Sequence, residues 1–178
     1  MKLIRTNMSI PFLNRLVKQL DKKVYENIPH TQNINSLRVV LDSYNQQTYQ
    51  GLLYEFVKLK PPVDKTTGYN KYRLHTNEYY DLNMIEWQPG SITKIHNHPK
   101  NGCIVKSLQG MLQETRYDDN ICSTTKNMIV PVHNFTGNYT HSYFLDSNVI
   151  HSIKNIENSN SYSLHLYSPP DYIPKIFD

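Results

Sequence analysis

At 178 residues and 20.9 kDa the chain is long enough for one domain with a substantial core and too short for two of ordinary size. A net charge of +4 and a pI near 8.9 do not point to nucleic acid, because the 19 basic residues are scattered and no stretch clusters them with aromatics. Cys103 and Cys122 cannot make a disulfide scaffold, residues Met1 to Asn7 lack the apolar run of a signal peptide, and no apolar run reaches membrane-spanning length. A soluble, cytoplasmic monomer that binds neither nucleic acid nor membrane is expected.

Residues 9–28 read as an amphipathic helix: Ser9 can cap it, Pro11 suits its first turn, and Leu13, Leu16, Val17, Leu20 and Val24 recur at helical spacing. A second helix, capped by Asn35 or Ser36, turns Leu37, Val40, Leu41 and Tyr44 inward, and a third covers 47–58 with Leu52, Leu53, Phe56 and Val57 as its core face. Lys60-Pro61-Pro62 closes this helical part. Beyond it lie short β-like runs at Tyr69–His75, Tyr79–Trp87, Cys103–Gln109, Met111–Tyr117, Met128–His133, Thr140–Leu145, Val149–Ile156 and Tyr162–Tyr167, each bounded by Gly, Pro, Asn, Asp or Ser. The layout predicts a mainly β domain spanning 1–178, with a helical part (1–60) packed on a β-barrel or sandwich (61–178). The sequons at Asn134 and Asn138 are chance matches if the chain is not secreted.

Between the second and third of these runs stands Gly90-Ser91-Ile92-Thr93-Lys94-Ile95-His96-Asn97-His98, followed by Cys103 and Gly110, with His151-Ser152-Ile153-Lys154-Asn155 much later. Residues two apart on a strand point to the same side, so a strand ending at His96 and His98 aims both imidazoles into one pocket. His151, entered through the turn-forming Asp146-Ser147-Asn148, brings a third. Three neutral imidazoles would leave a divalent metal with its charge unbalanced and with open positions, which suits a substrate that brings its own anion. For His30, His75, His133 and His141 no ligand role is expected.

The pattern G-x5-H-x-H-x4-C-x6-G followed by H-x3-N resembles the two motifs of the cupin β-barrels, with Cys103 where the usual pattern has a glutamate ligand. The runs His96–Thr115 and Ser163-Leu164-His165-Leu166-Tyr167-Ser168-Pro169-Pro170 are similar to the cysteine dioxygenases, a cupin branch that lacks this glutamate. The resemblance runs from residue 9 to residue 178. It implies a cupin (jelly-roll-like) barrel and one Fe(2+) per chain on His96, His98 and His151. It also implies a small thiol and O2 as reactants, with L-cysteine converted to cysteine sulfinic acid.

It further implies a thioether between Cys103 and Tyr167, a relay from Ser163 through His165 to the Tyr167 hydroxyl, a carboxylate-binding Arg73, and substrate contacts from Tyr72 and Trp87. The chain departs from the family at Lys71, which stands where a tyrosine precedes the arginine by two, and it ends at Phe177-Asp178 where animal members continue with further strands. Cys103 and Tyr167 are also open to reading as plain core residues, Trp87 likewise, and Arg73 as a surface residue. Two other functions stay open: a dioxygenase of 3-mercaptopropionate or cysteamine, or a non-catalytic metal-binding cupin.

Overall fold

The computed structural model describes residues 3–5, 10–27, 34–61, 68–117 and 142–177. Ser9, His30, Cys122, His133, His141, both sequons and the expected strand Met128–His133 lie outside them. No helix among the described residues is long and apolar enough to cross a membrane.

Helix α1 (Pro11–Asn27) buries Phe12, Leu13, Leu16, Leu20 and Val24, the stripe that its 3.6-residue spacing demands. The second predicted helix is in fact a 3-10 turn (Ile34–Leu37) running into a five-residue α2 (Arg38–Asp42), because the Ser43 hydroxyl and amide both bond back to the Val40 carbonyl and end it. Helix α3 (Gln46–Leu59) starts at Asn45, whose side-chain oxygen accepts the Thr48 amide at 2.9 Å. Its buried stripe is Tyr49, Leu52, Leu53 and Phe56, whereas Val57, expected in the core, is 43% exposed. The stripe centres on Leu52 and Phe56, and Val57 lies past its edge.

Among the described residues there are ten strands, numbered in chain order: β1 (Leu3–Arg5, before α1), β2 (Tyr69–Thr76), β3 (Asp81–Trp87), β4 (Ile95–His96), β5 (Cys103–Gln109), β6 (Leu112–Tyr117), β7 (Tyr143–Leu145), β8 (Ile150–Asn155), β9 (Ser161–Tyr167) and β10 (Ile176–Phe177). They form a six-stranded sheet in the order β1-β2-β3-β9-β5-β7 and a four-stranded sheet in the order β10-β4-β8-β6, antiparallel except for the β1–β2 pair. This is the mainly β, helix-backed cupin fold that the sequence predicts, although pairing among the described residues leaves two sheets and does not close a cylinder. β1 and β10 were not expected, being too short to show an apolar period.

Side-chain parity in the large sheet positions the site. On β3, β9 and β5 one set of alternating residues (Leu82, Met84, Tyr162, Leu164, Leu166, Ile104, Leu108) packs into the helices. The opposite set faces the small sheet, where Ile85 and Trp87 meet Leu112 and Ile153. β3 therefore reads as a fully buried run, covered on both faces. A bulge at Leu74 interrupts β2 directly after Arg73: Arg73 pairs with Asn83, but His75 already pairs with Leu82.

Asn155, the asparagine of H-x3-N, has a structural task. Its amide donates to the Trp87, Gln88 and Ser159 carbonyls at 2.9–3.1 Å, and its oxygen accepts from the Ser161 hydroxyl at 2.8 Å. One buried side chain thereby ties the end of β8 to β3 and β9.

Candidate metal centre

His96, His98 and His151 come from the small sheet and the loop beside it. Pro89-Gly90 makes a turn, with Gly90 at φ +71°, and between it and His98 only Ile95 and His96 form strand. His96 pairs with His151 of β8 on one side and Ile176 of β10 on the other. His98 lies beyond the strand, so its placement does not come from strand alternation. Its Nδ1–H donates to the Val149 carbonyl at 2.9 Å, which turns the ring back beside His151.

The other two rings are held in the same way. His96 Nδ1–H donates to the Lys94 carbonyl at 2.8 Å, and His151 Nδ1 bonds the buried Glu114 carboxylate at 2.9 Å. With every Nδ1 engaged by an oxygen, the free lone pair of each ring is on Nε2. One ligand atom from each histidine lies within 4.8 Å of the others, and the Nε2 atoms of His98 and His151 are 3.0 Å apart. Two acceptor nitrogens this close repel unless a cation lies between them, so the donor set fits a metal.

Burial opposes protonation of all three. It pushes His98 down to about 2, helped by the neighbouring His151 and His96, and lowers His96 despite the Lys94 carbonyl. His151, buried and then disfavoured further by His96 and Arg116, lies well below the ordinary imidazole value. Neutral imidazole is the form that binds metal.

Beside this centre the inward face of β9 presents Ser163, His165 and Tyr167. His165 bridges two hydroxyls, with Nε2 2.9 Å from Ser163 Oγ and Nδ1 3.0 Å from the Tyr167 hydroxyl. The Trp87 indole N–H donates to Ser163 Oγ at 2.8 Å, so Trp87 stands behind this chain and supports it. Cys103 of β5 is directly opposite Tyr167 in the antiparallel register. Burial raises the Cys103 thiol, and burial together with Cys103 raises the Tyr167 phenol well above its usual value.

The β2 residues divide. Tyr72, expected at the substrate, is 0% exposed on the helix side, packed edge-on against Phe56 with its hydroxyl on the Glu86 carboxylate at 3.0 Å. This is a correction, and its cause is parity: Tyr72 is one residue out of phase with Lys71 and Arg73, which share the site side. Arg73 Nη2 is held by two carboxylates of the chain, Asp81 at 3.0 Å and Asp171 at 2.8 Å. Lys71 places Nζ 4.1 Å from the centre of the Tyr167 ring.

A family model described as "Cysteine dioxygenase type I" matches residues 13–178. The chain belongs to that family. Cysteine dioxygenase type 1 of Danio rerio is 28% identical over 144 residues, covering 77% of this chain and 72% of that protein. The Rattus norvegicus protein of the same name is 28% identical over 145 residues, covering 78% of this chain and 66% of its own length. The chain thus spans about two thirds of the curated mammalian cysteine dioxygenase that it matches. Among solved structures, "Crystal structures of DMSP lyases RdDddP and RnDddQII" superposes with a TM-score of 0.56 at 11% identity, covering 94% of this chain and 98% of that one, a likeness of fold alone. For a member of the cysteine dioxygenase family, sequence reading missed two groups at the site. Glu114, which orients His151, shows only as an acid on the Leu112 side of an alternating strand, and Lys71 shows only through its phase with Arg73.

Proposed function

We propose that the chain is an iron(II)-dependent thiol dioxygenase that adds both atoms of O2 to the sulfur of L-cysteine, giving cysteine sulfinic acid. The observation that carries this reading is the pairing of three Nε2-presenting histidines with the Ser163–His165–Tyr167 chain beside them. Iron held by His96, His98 and His151 would supply the positions for thiolate and O2 and a path for electrons between them, the sulfur giving the four electrons that reduce O2. His165, bonded at both nitrogens, fixes the direction of the Tyr167 hydroxyl, and Trp87 and Ser163 keep His165 from turning. Burial holds His165 neutral, with Lys71 and His151 acting in the same sense, so it exchanges hydrogen bonds with the two hydroxyls without taking a net charge.

Oxygen uptake by iron-loaded protein tests the reading. L-cysteine should drive O2 consumption with sulfinate as product, faster than 3-mercaptopropionate or cysteamine. No thiol-dependent uptake with any of the three would sink it.

The Cys103–Tyr167 register supports a thioether between Sγ and an aromatic carbon of Tyr167. That bond replaces one S–H and one C–H, and O2 takes up the two electrons and two protons. The denatured protein is then expected about 2 Da lighter than its sequence mass, with the deficit absent in Cys103→Ser. An intact mass equal to the sequence value after turnover would rule the bond out.

A further inference from the structure

The segment Asp171–Phe177 runs from the large sheet to the small one. At its start the Asp171 amide donates to Asp81 Oδ2 at 2.9 Å, and the Asp171 carboxylate meets Arg73 at 2.8 Å. Asp171 is at φ +56°, a left-handed turn that aspartate tolerates better than most residues. At its end β10 pairs with β4, setting Ile176 opposite His96 and Phe177 opposite Ile95. Apolar packing does not explain this course, since Ile173 is 86% exposed and Ile176 41%.

The polar contacts of the segment converge on one residue. Asn97 Oδ1 accepts the Tyr172 hydroxyl and, at 2.9 Å, the Lys175 amide, and the Asn97 amide donates to the Lys175 carbonyl at 3.4 Å. Burial pushes the Tyr172 phenol up to about 12, with the Lys175 backbone acting against it and Cys103 in the same sense. Near neutral pH the hydroxyl therefore keeps its proton and can donate to Asn97.

Asn97 is the residue between the two ligands His96 and His98. It stands where the chain leaves a strand of two residues, and the His98 ring beyond it is fixed by a single bond to the Val149 carbonyl. The path of the main chain from one imidazole to the next is thus held at Asn97 by Tyr172 and Lys175. Contacts one layer out from a metal set the direction of the ligands and with it the affinity.

We infer that Asp171–Phe177 is a clasp that keeps His96 and His98 in ligating geometry, with Tyr172 and Asn97 as its positioning residues. The inference rests on the three-histidine metal centre and not on the identity of the thiol. A segment held by hydrogen bonds with little apolar burial opens at lower cost than the sheets beneath it. Opening of the clasp is then the step that limits metal release.

The test is anaerobic transfer of Fe(II) from the loaded full-length protein to an excess of a coloured chelator, followed in time. Asn97→Ala should lose iron about tenfold faster or more, and Tyr172→Phe about threefold faster or more. Asn97→Asp, which keeps an acceptor for both donors, should restore most of the retention. Ile173→Ser alters the segment without touching the clasp and should match wild type. Melting temperatures of the metal-free variants should stay within about 3 °C of wild type, a shift of roughly one kcal/mol, which separates loosened ligands from a loosened fold. The inference is overturned if Asn97→Ala and Tyr172→Phe both retain iron within twofold of wild type, or if Ile173→Ser loses it as fast as they do. No thiol or O2 enters this measurement, so oxygen uptake run alongside separates the two claims. Clasp-dependent retention without thiol-driven uptake supports the clasp and refutes the dioxygenase. Uptake with retention unchanged in both variants does the reverse.

Discussion

His151→Ala is expected to purify without stoichiometric iron and to lose thiol-dependent O2 uptake to background. His151 is buried, faces His98 across 3.0 Å and pairs with His96 in the sheet. Its loss leaves two ligands, of which His98 is held by only one bond to the Val149 carbonyl. Glu114→Ala should give a graded version of the same defect. The carboxylate receives the His151 Nδ1 proton at 2.9 Å and also bonds Arg116 Nε at 3.0 Å. Removing it frees the ring to turn and lowers its basicity, an effect worth about 10- to 100-fold in metal affinity at comparable sites. Metal analysis after dialysis against a chelator reads both variants. A His151→Ala protein that keeps one iron per chain would refute the ligand assignment.

Glu86→Ala is expected to cost about 3–5 kcal/mol of stability, a fall in melting temperature on the order of 10 °C for a chain of this size. Glu86 is a buried carboxylate on the helix side of β3, bonded by Lys60, by the Tyr72 hydroxyl at 3.0 Å, the Tyr162 hydroxyl at 2.8 Å and the Asn160 amide at 3.0 Å. Truncation leaves two buried phenols and a largely buried ammonium without their acceptor.

The same cluster sets an acid limit. Burial by itself raises the Glu86 pKa, but the bonds from Lys60, Tyr162 and Tyr72 outweigh it and hold the group below its ordinary 4.5. A carboxyl depressed on folding contributes stability that is fully present above its unfolded value and is lost as pH falls through the folded one. The wild-type midpoint should therefore drop as pH is lowered below about 4.5, and Glu86→Gln should flatten that drop. A Glu86→Ala midpoint within 3 °C of wild type would show that the cluster is not a stabilising one; about one kcal/mol corresponds to that shift.

Much of the fold was legible in the sequence because its local signals agree with one another. The run Cys103–Gln109 is bracketed by Gly102 and Gly110, both at positive φ, and it forms strand over the predicted residues. The three histidines were legible for a mixed reason. Strand alternation accounts for His96, but His98 is placed by a hydrogen bond to Val149, 51 residues away, which no local period encodes. Tyr72 falls outside the site because the two-residue period of β2 puts Lys71, and not Tyr72, in phase with Arg73. Glu114 could not be assigned from spacing. Its partner His151 is 37 residues on, and the two strands meet only through the β6–β8 register.

β9 has a further consequence. Its odd-numbered residues Ser163, His165 and Tyr167 form the hydrogen-bonded chain beside the three histidines, and its even-numbered Tyr162, Leu164 and Leu166 hold the helices. A single inserted or deleted residue within Ser161–Tyr167 would exchange the two sets at once, turning leucines toward the three histidines and a histidine into the helical core. Changes of length along this strand are thus closed to gradual variation, and the protein can be retuned only by substitution in place or through the loops at either end. Activity and foldedness cannot drift apart here, since the same alternation decides both.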